Sequence, residues 1–243
     1  MNRMRQTHTL FVLLSLFLIG CQPEKEQTSP PNIILFFVDD MGWQDTSVPF
    51  WEQPTNFNKT YKTPNMERLA KKGVKFTNAY ATPVCSPTRV SLMTGMNAAR
   101  HRVTNWTLQP DKLQPMELNH PTLAFPDWNY NGIGLEAATP NAAYAKPLPQ
   151  LLSEKGYFTL HAGKAHFGAI GYPSSNPINL GFQINIAGHA AGAPESYLGR
   201  ENFGNGKKGK EVWAVPGLEK YHGEDLFLTE VLSKEVRTAL DEP

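Results

Sequence analysis

Cys85-Ser86-Pro87-Thr88-Arg89 is the most informative stretch of this 243-residue sequence. The pair Ser86-Pro87 suits a helix start, so the sequence predicts a helix that runs from residue 86 to about Gly95. Cys85 then lies at the N-terminus of that helix, where the helix dipole favours developing negative charge. Arg89 follows one helical turn later on the same face. An inert buried thiol is the alternative to a reactive cysteine at this position.

A hydrophobic run that ends in two carboxylates lies upstream, at Ile33-Ile34-Leu35-Phe36-Phe37-Val38-Asp39-Asp40. Its continuous apolar character predicts a buried parallel strand over residues 33–38. Ligands of open α/β sheets bind at the carboxyl ends of the strands, and adjacent carboxylates there suit a hard cation. Asp39 and Asp40 are therefore candidate ligands of a hard cation such as Ca²⁺ or Mg²⁺. A helix N-cap beside a solvated aspartate is the alternative interpretation.

Helices and strands are predicted to alternate along the rest of the chain. Helices are expected at residues 65–72, 149–155 and 223–240, and strands at residues 74–80 and 157–161. Such alternation favours an α/β fold with a parallel sheet. The 20 prolines and 19 glycines agree with a loop-rich α/β enzyme better than with a helical bundle.

Two long segments interrupt this alternation and are expected to be functional loops or disordered. Residues 188–210 are rich in Gly and Lys, and residues 104–146 are rich in Asn, Pro and aromatic residues. The aromatic side chains of the second segment either stack on sugar rings at a cleft or pack the loop down. They include Trp106, Phe125, Trp128, Tyr130 and Tyr144.

The first 21 residues have the pattern of an export signal. Arg3 and Arg5 precede an apolar run at residues 10–19 that is too short for a comfortable membrane span. The run ends in Leu18-Ile19-Gly20-Cys21, which resembles a bacterial lipobox, so Cys21 is expected to become the lipidated first residue. A plain secretory signal near a cysteine is the alternative. Residues 22–31 then form a flexible tether, and the protein is expected to be a membrane-anchored lipoprotein of the bacterial periplasm or cell surface.

The net charge and the cysteine content argue against a nucleic-acid partner and against a structural disulfide. The net charge of +1 gives no reason to expect a nucleic-acid partner. The chain has two cysteines, Cys21 and Cys85. With Cys21 in the lipobox and Cys85 in the central motif, none is left for a structural disulfide, although export permits one.

A third segment, Gly163-Lys164-Ala165-His166-Phe167-Gly168, follows the strand predicted at residues 157–161. In this order, the acidic strand end, the Cys-x-Pro-x-Arg pattern at Cys85 and the Gly-Lys-x-His pattern resemble the type I sulfatases of the alkaline-phosphatase-like superfamily. The continuation Val90-Ser91-Leu92-Met93-Thr94-Gly95 also resembles the family. Ala165 departs from it, because tryptophan is common there. Out of this context, Lys164 and His166 would be interpreted as solvated loop residues.

The resemblance implies a formylglycine nucleophile. In that family a formylglycine-generating enzyme oxidises the motif cysteine, here Cys85, to Cα-formylglycine, whose hydrate carries two hydroxyls. One hydroxyl attacks sulfur, and the other then expels sulfate. Asp39, Asp40 and residue 85 would be ligands of a bound Ca²⁺ ion, with Mg²⁺ as the second choice.

The same resemblance assigns the basic residues. Arg89 would hold the formylglycine and the metal-linked carboxylates, and Lys164 would bind the sulfate. His166 would accept a proton during sulfate release. His101 lies near the motif helix, and the resemblance leaves a site-lining position and a surface basic cluster equally open. His161 and His189 are expected to be structural.

The fold implied by the resemblance is an α/β/α sandwich around a largely parallel or mixed sheet. Residues 32–243 would be the N-terminal part of the catalytic domain. The family's later metal and sulfate ligands have no match after His166, so the domain is expected to be truncated, with a calcium ion under-coordinated.

The implied function is hydrolysis of a sulfated small molecule or glycan. Two alternatives remain at this point: a phosphoester or phosphonate hydrolase of the same superfamily, and a non-catalytic glycan-binding lipoprotein.

Overall fold

The structure, a computed structural model, describes residues 29–112, 120–124 and 127–241. The predicted export signal, Cys21, most of the tether and Phe125 lie outside the described residues. The chain divides into two compact units, residues 1–38 and residues 39–243. Within the described ranges, no helix combines the length and the apolar character needed to cross a membrane.

The described part of the first unit contains no strand, so the strand predicted at residues 33–38 is wrong. Its six apolar side chains are exposed, from Val38 at 38% to Ile34 at 85%. An apolar run becomes a buried strand only when neighbouring strands and a covering layer are present, and the sequence pattern does not report on either.

The second unit begins with two helices, α1 (Asn56–Thr60) and α2 (Pro64–Lys72). Helix α2 confirms the prediction for residues 65–72, because Pro64 occupies the first turn and the Gly73 amide caps the carbonyl of Leu69 at 2.9 Å. The strand predicted at residues 74–80 is wrong. That segment has no regular structure, and its large apolar side chains are strongly exposed, for the same reason as in residues 33–38.

Helix α3 (Cys85–Thr94) confirms the predicted motif helix, and the short α4 (Ala98–His101) follows it. Gly95 ends α3 in the left-handed conformation, with a φ of +68°, and its amide bonds to the Ser91 carbonyl. Val90 and Met93 of α3 are buried in the first hydrophobic core.

Parallel strand pairs confirm the α/β class in the described residues. Strands β1 (Ile133–Gly134) and β2 (Ala143–Tyr144) form one pair, and β3 (Leu160–Ala162) and β4 (Ile184–Ile186) form the other. Helix α5 (Leu148–Ser153) precedes β3, as predicted. Helix α6 (Leu228–Asp241) lies within the helix predicted at residues 223–240 except for its last residue, but it begins five residues later.

Five 3₁₀ turns complete the regular structure of the described residues: Pro173–Ser175, Pro177–Leu180, Gly199–Gly204, Glu211–Trp213 and Glu219–Tyr221. The long segments predicted as functional or disordered loops are therefore partly ordered. Residues 188–210 contain the Gly199–Gly204 turn, and residues 104–146 contain β1 and β2.

Two hydrophobic cores support the second unit. The first core brings α3 together with the chain around His166: Val90, Met93, Val103, Ile133, Ala143, Ala165, Phe167 and Leu180. The second core packs beneath α6: Ala187, Phe203, Val215, Leu218, Tyr221, Leu228 and Val231. The first core therefore fixes the position of the motif helix relative to the Lys-x-His segment.

Candidate active site

Cys85 is the first residue of α3. Within the described residues its thiol forms no disulfide, and the residue is half-buried. The Thr88 hydroxyl donates a hydrogen bond to the carbonyl of Val84 at 3.0 Å, which ties the chain before Cys85 to the first turn. A thiol or its derivative at this position benefits from the positive end of the helix dipole.

Arg89 connects α3 to two other segments. Its side chain is 6% exposed. One guanidinium nitrogen, Nη2, donates to Oδ1 of Asp39 at 3.0 Å, and Nη1 donates to the backbone carbonyl of Lys164 at 2.6 Å. The rigid fork of donors on arginine allows one side chain to hold both groups at once. The structure therefore brings three of the predicted site residues into direct contact.

Asp39 is held by two cations. Lys164 Nζ donates to Oδ2 of Asp39 at 2.5 Å, while Arg89 occupies Oδ1. Burial raises the pKa of Asp39, but the hydrogen bonds and charges of Lys164 and Arg89 outweigh burial and lower that pKa below its usual value. The carboxylate is therefore ionised at neutral pH.

Asp40 is exposed and has a φ of +54°, a left-handed conformation that aspartate tolerates better than most residues. The oxygens of Asp39 and Asp40 are the type of ligand that hard divalent cations bind. Among the described residues, however, no group of three or more His, Cys, Asp or Glu side chains converges on one point. The donor chemistry thus fits a hard cation, with these two carboxylates as only part of its ligand set.

His166 lies two residues after Lys164 and is 1% exposed. Its Nε2 bonds to the backbone carbonyl of Thr107, and its buried Nδ1 has no hydrogen-bond partner among the residues that the structure describes. Burial, helped by the charges of Lys164 and Arg89, lowers the pKa of His166 to about 4, against the smaller opposing effects of the Thr107 bond and Asp39. The imidazole is therefore neutral at pH 7, and a neutral ring is the form that can accept a proton.

His101 is buried, so it does not belong to a surface basic cluster. It is 1% exposed, its Nε2 lies 2.9 Å from the Ser91 hydroxyl, and its Nδ1 accepts a hydrogen bond from the Val103 amide at 3.0 Å. The ring thus packs α4 against α3. His161 packs edge-on against Phe167 and Phe182, as expected for a structural histidine.

The aromatic residues of the 104–146 segment divide between two environments. Trp106, Trp128 and Tyr130 are half-buried, whereas Tyr144 is 57% exposed. Sequence reasoning missed the residue of this segment that reaches the site, Thr107, because its contact with His166 is made by a backbone carbonyl. No side-chain pattern encodes such a contact.

Comparison with known proteins gives a consistent result. The family model described as Sulfatase matches residues 31–231. N-acetylgalactosamine-6-sulfatase of Mus musculus is 32% identical over 154 residues, which cover 63% of this chain and 24% of the relative. Arylsulfatase D of Homo sapiens is 28% identical over 183 residues, which cover 73% of this chain and 26% of the relative. A sulfatase of Formosa agariphila is 40% identical over 87 residues, which cover 36% of this chain and 16% of the relative. The chain thus spans about a quarter or less of the length of these relatives.

Proposed function

Because this chain belongs to the sulfatase family and has its alkaline-phosphatase-like α/β fold, we propose that the protein hydrolyses sulfate esters. We propose further that Cys85, converted to formylglycine, provides the nucleophile, so that a formylglycine-generating enzyme is a partner. The contact that supports this most strongly is Arg89, which reaches from the Cys85 helix to both Asp39 and Lys164.

The basic residues have complementary parts in this proposal. Lys164 Nζ is 2.5 Å from Asp39 and is the cation available for the sulfate oxygens when a substrate arrives. Arg89 is more deeply buried, and its two contacts hold Asp39 and the Lys164 backbone in a fixed position relative to α3. His166 is neutral at pH 7 and serves as the proton acceptor. The modified residue 85 would supply the oxygen nucleophile that a cysteine cannot.

We propose that Asp39 and Asp40 contribute oxygen ligands to a bound calcium ion, with residue 85 beside them. When bound, such an ion would supply positive charge for the sulfate oxygens. Calcium should raise the melting temperature of the full chain, and Asp40→Ala should remove most of that increase, because a ligand stabilises only the state that binds it. Glu52→Ala, at an exposed carboxylate, is the matched control. An equal calcium shift in Asp40→Ala and the wild type would refute the assignment.

We propose a sulfated glycan as the substrate. One relative is named for a sulfate on an amino sugar, N-acetylgalactosamine, which favours a sulfated glycan over other organic sulfates. The half-buried Trp106 and Trp128 are the aromatic residues that could stack on such a sugar.

The decisive comparison of activities uses Cys85→Ala in the full chain, produced with a formylglycine-generating system. The wild type should hydrolyse an aryl sulfate faster than the matching aryl phosphate, and Cys85→Ala should abolish sulfate turnover without unfolding the protein. Equal turnover in the variant would exclude Cys85 as nucleophile. A preference for phosphate would favour a phosphoester hydrolase instead.

We also propose that the mature protein begins at a lipidated Cys21 and is exported and anchored to the membrane. Cys21→Ser should release the protein or leave its signal uncleaved, as seen by fractionation and mass spectrometry. A wild-type protein that is found soluble with an unlipidated Cys21 would refute this proposal.

A further inference from the structure

The ring of His166 is enclosed by groups that its family role does not explain. On one side, Nε2 bonds to the backbone carbonyl of Thr107. On the other side is Gly192: a Cβ placed there would lie 2.9 Å from Cε1 and 3.2 Å from Nδ1 of His166. The φ of Gly192 is not in the left-handed range, so glycine is needed there for space rather than for backbone conformation. The imidazole therefore has one defined orientation.

The Thr107 carbonyl is itself held in place from α3. The hydroxyl of Ser86, the residue after Cys85, accepts a hydrogen bond from the Thr107 amide at 3.0 Å. Ser86 is 0% exposed and Thr107 is 1% exposed, so water does not replace this contact. Ser86 and Thr107 thus form a continuous connection from the residue next to the nucleophile to the ring of His166.

This connection determines which ring nitrogen carries the proton. A backbone carbonyl can only accept, so Nε2 of neutral His166 must be the protonated nitrogen. The lone pair is then on Nδ1, which is buried and has no hydrogen-bond partner in the described residues. A buried acceptor without a partner is unusual in a folded protein and calls for a functional explanation.

The backbone conformation of His166 also supports a functional role for this residue. Its φ of +51° is in the left-handed range, which is uncommon for residues other than glycine. Its amide is fixed by the carbonyl of His189 at 3.1 Å. Strained backbone of this kind persists only where the surroundings over-determine it, and it concentrates at functional sites.

We propose that Ser86 and Thr107 are positioning residues that hold His166 in the Nε2–H tautomer, leaving Nδ1 as the nitrogen that accepts the proton. This assignment rests on the proposed function, in which His166 is the proton acceptor. The charged groups that act on the ring are Lys164 and Arg89, which disfavour its protonation, and Asp39, which favours it.

The test is nitrogen NMR of the histidine rings in the full chain at neutral pH. Ser86→Ala removes the acceptor of the Thr107 amide and keeps the Cys-x-Pro-x-Arg pattern. The wild type should show a protonated Nε2 and a bare Nδ1 at His166, and Ser86→Ala should show a mixture of tautomers. His166→Asn, which suits a left-handed backbone, identifies the His166 signals.

Ser91→Ala is the matched control. Ser91 is also on α3 and also contacts a histidine, but that histidine is His101. Ser91→Ala should therefore leave the His166 signals unchanged. If Ser86→Ala fails to fold, Gly192→Ala tests the proposal from the other side, because its methyl group would lie 2.9 Å from Cε1 and must displace the ring from the position in which Nε2 bonds to the Thr107 carbonyl.

A protonated Nδ1 in the wild type would overturn the proposal, as would a single unchanged tautomer in a folded Ser86→Ala. The ring signals do not depend on turnover, so this outcome is separate from failure of the proposed sulfatase activity.

Where activity is present, Ser86→Ala should lower kcat by roughly tenfold or more with little change in KM, since a positioned base contributes about 10²–10⁴-fold. Mass spectrometry of residue 85 in the variant excludes lost modification as the cause.

Discussion

At Arg89 a single guanidinium satisfies a carboxylate and a backbone carbonyl from two distant parts of the chain. The partners are Asp39, 50 residues earlier, and Lys164, 75 residues later. The Arg89 side chain is 6% exposed and bonds to both Asp39 and Lys164. It therefore stabilises the folded chain and also positions these two residues for their proposed roles. The sequence indicated Arg89 as a site residue through its spacing from Cys85, but the contact with the Lys164 carbonyl could not be predicted from side-chain types.

We predict that Arg89→Met destabilises the full chain more than Lys164→Met does. Arg89→Met removes two hydrogen bonds and leaves the Lys164 carbonyl without this donor, whereas Lys164→Met removes one bond to Asp39. Hydrogen bonds that involve a charged group contribute roughly 1.5–3 kcal/mol each. Urea unfolding measures both free energies of unfolding. Equal losses in the two variants would contradict the structural role assigned to Arg89.

His166 makes the stability of the protein depend on pH. Its pKa is about 4 in the folded state, against 6.5 for the ordinary side chain, so the unfolded state binds more protons between these values. His166 therefore contributes full stability above pH 6.5, and that contribution is lost as the pH falls to about 4. The slope is at most about 1.4 kcal/mol per pH unit for one group. His161, whose pKa is also lowered to about 4 by burial, adds to the same window.

We predict that His166→Asn reduces this slope, measured as the free energy of unfolding between pH 6.5 and pH 4. Asn is compatible with the left-handed backbone and has no titrating ring. The contribution of Asp39, whose pKa is lowered from 3.8, falls at the acid end of this range, but it is present in both proteins and cancels in the comparison. An unchanged slope in the variant would show that the ring of His166 is not buried in its neutral form.

At the scale of elements, helix α3 is the best-predicted part of the molecule. Proline in the first turn, the Gly95 end and the buried face of Val90 and Met93 are all local features of the sequence. Helix α2 was predicted equally well, for the same local reasons.

We predict that Gly95→Ala lowers the free energy of unfolding by about 1 kcal/mol, the usual cost of placing a Cβ in the left-handed conformation. Nothing lies within 4 Å of the added methyl group, so the cost is conformational and not steric. Gly95→Asn is the matched control and should cost less, because Asn tolerates a positive φ. Equal costs for the two substitutions would mean that the end of α3 has a different conformation.

The strands were predicted less well than the helices. The strand predicted at residues 157–161 is confirmed only in part, because β3 covers residues 160–162, and its parallel pairing is confirmed. Residues 33–38 and 74–80 are exposed and form no strand. Strand formation depends on partners that are distant in the sequence, and apolar content alone does not identify them. Buried Asn131, which bonds to Asp111, Pro140 and Tyr172, was missed for a related reason: its partners lie up to 41 residues away.

At the scale of the whole molecule, the first core connects the fold to the site. Val90 and Met93 on α3 pack in the same cluster as Ala165 and Phe167, which flank His166. Ala165 is 0% exposed, so its place within the Gly-Lys-x-His pattern is a packing position. The residue types of the site could be predicted from three short motifs, whereas their mutual geometry depends on this core.

The most direct test of the account is mass spectrometry of the peptide that contains residue 85, from the full chain produced with a formylglycine-generating system. The account predicts an aldehyde or its hydrate at residue 85 in the wild type. Pro87→Ala, which alters the modification pattern, should retain the thiol. An unmodified Cys85 thiol in wild-type protein that nevertheless hydrolyses sulfate esters would contradict the central claim.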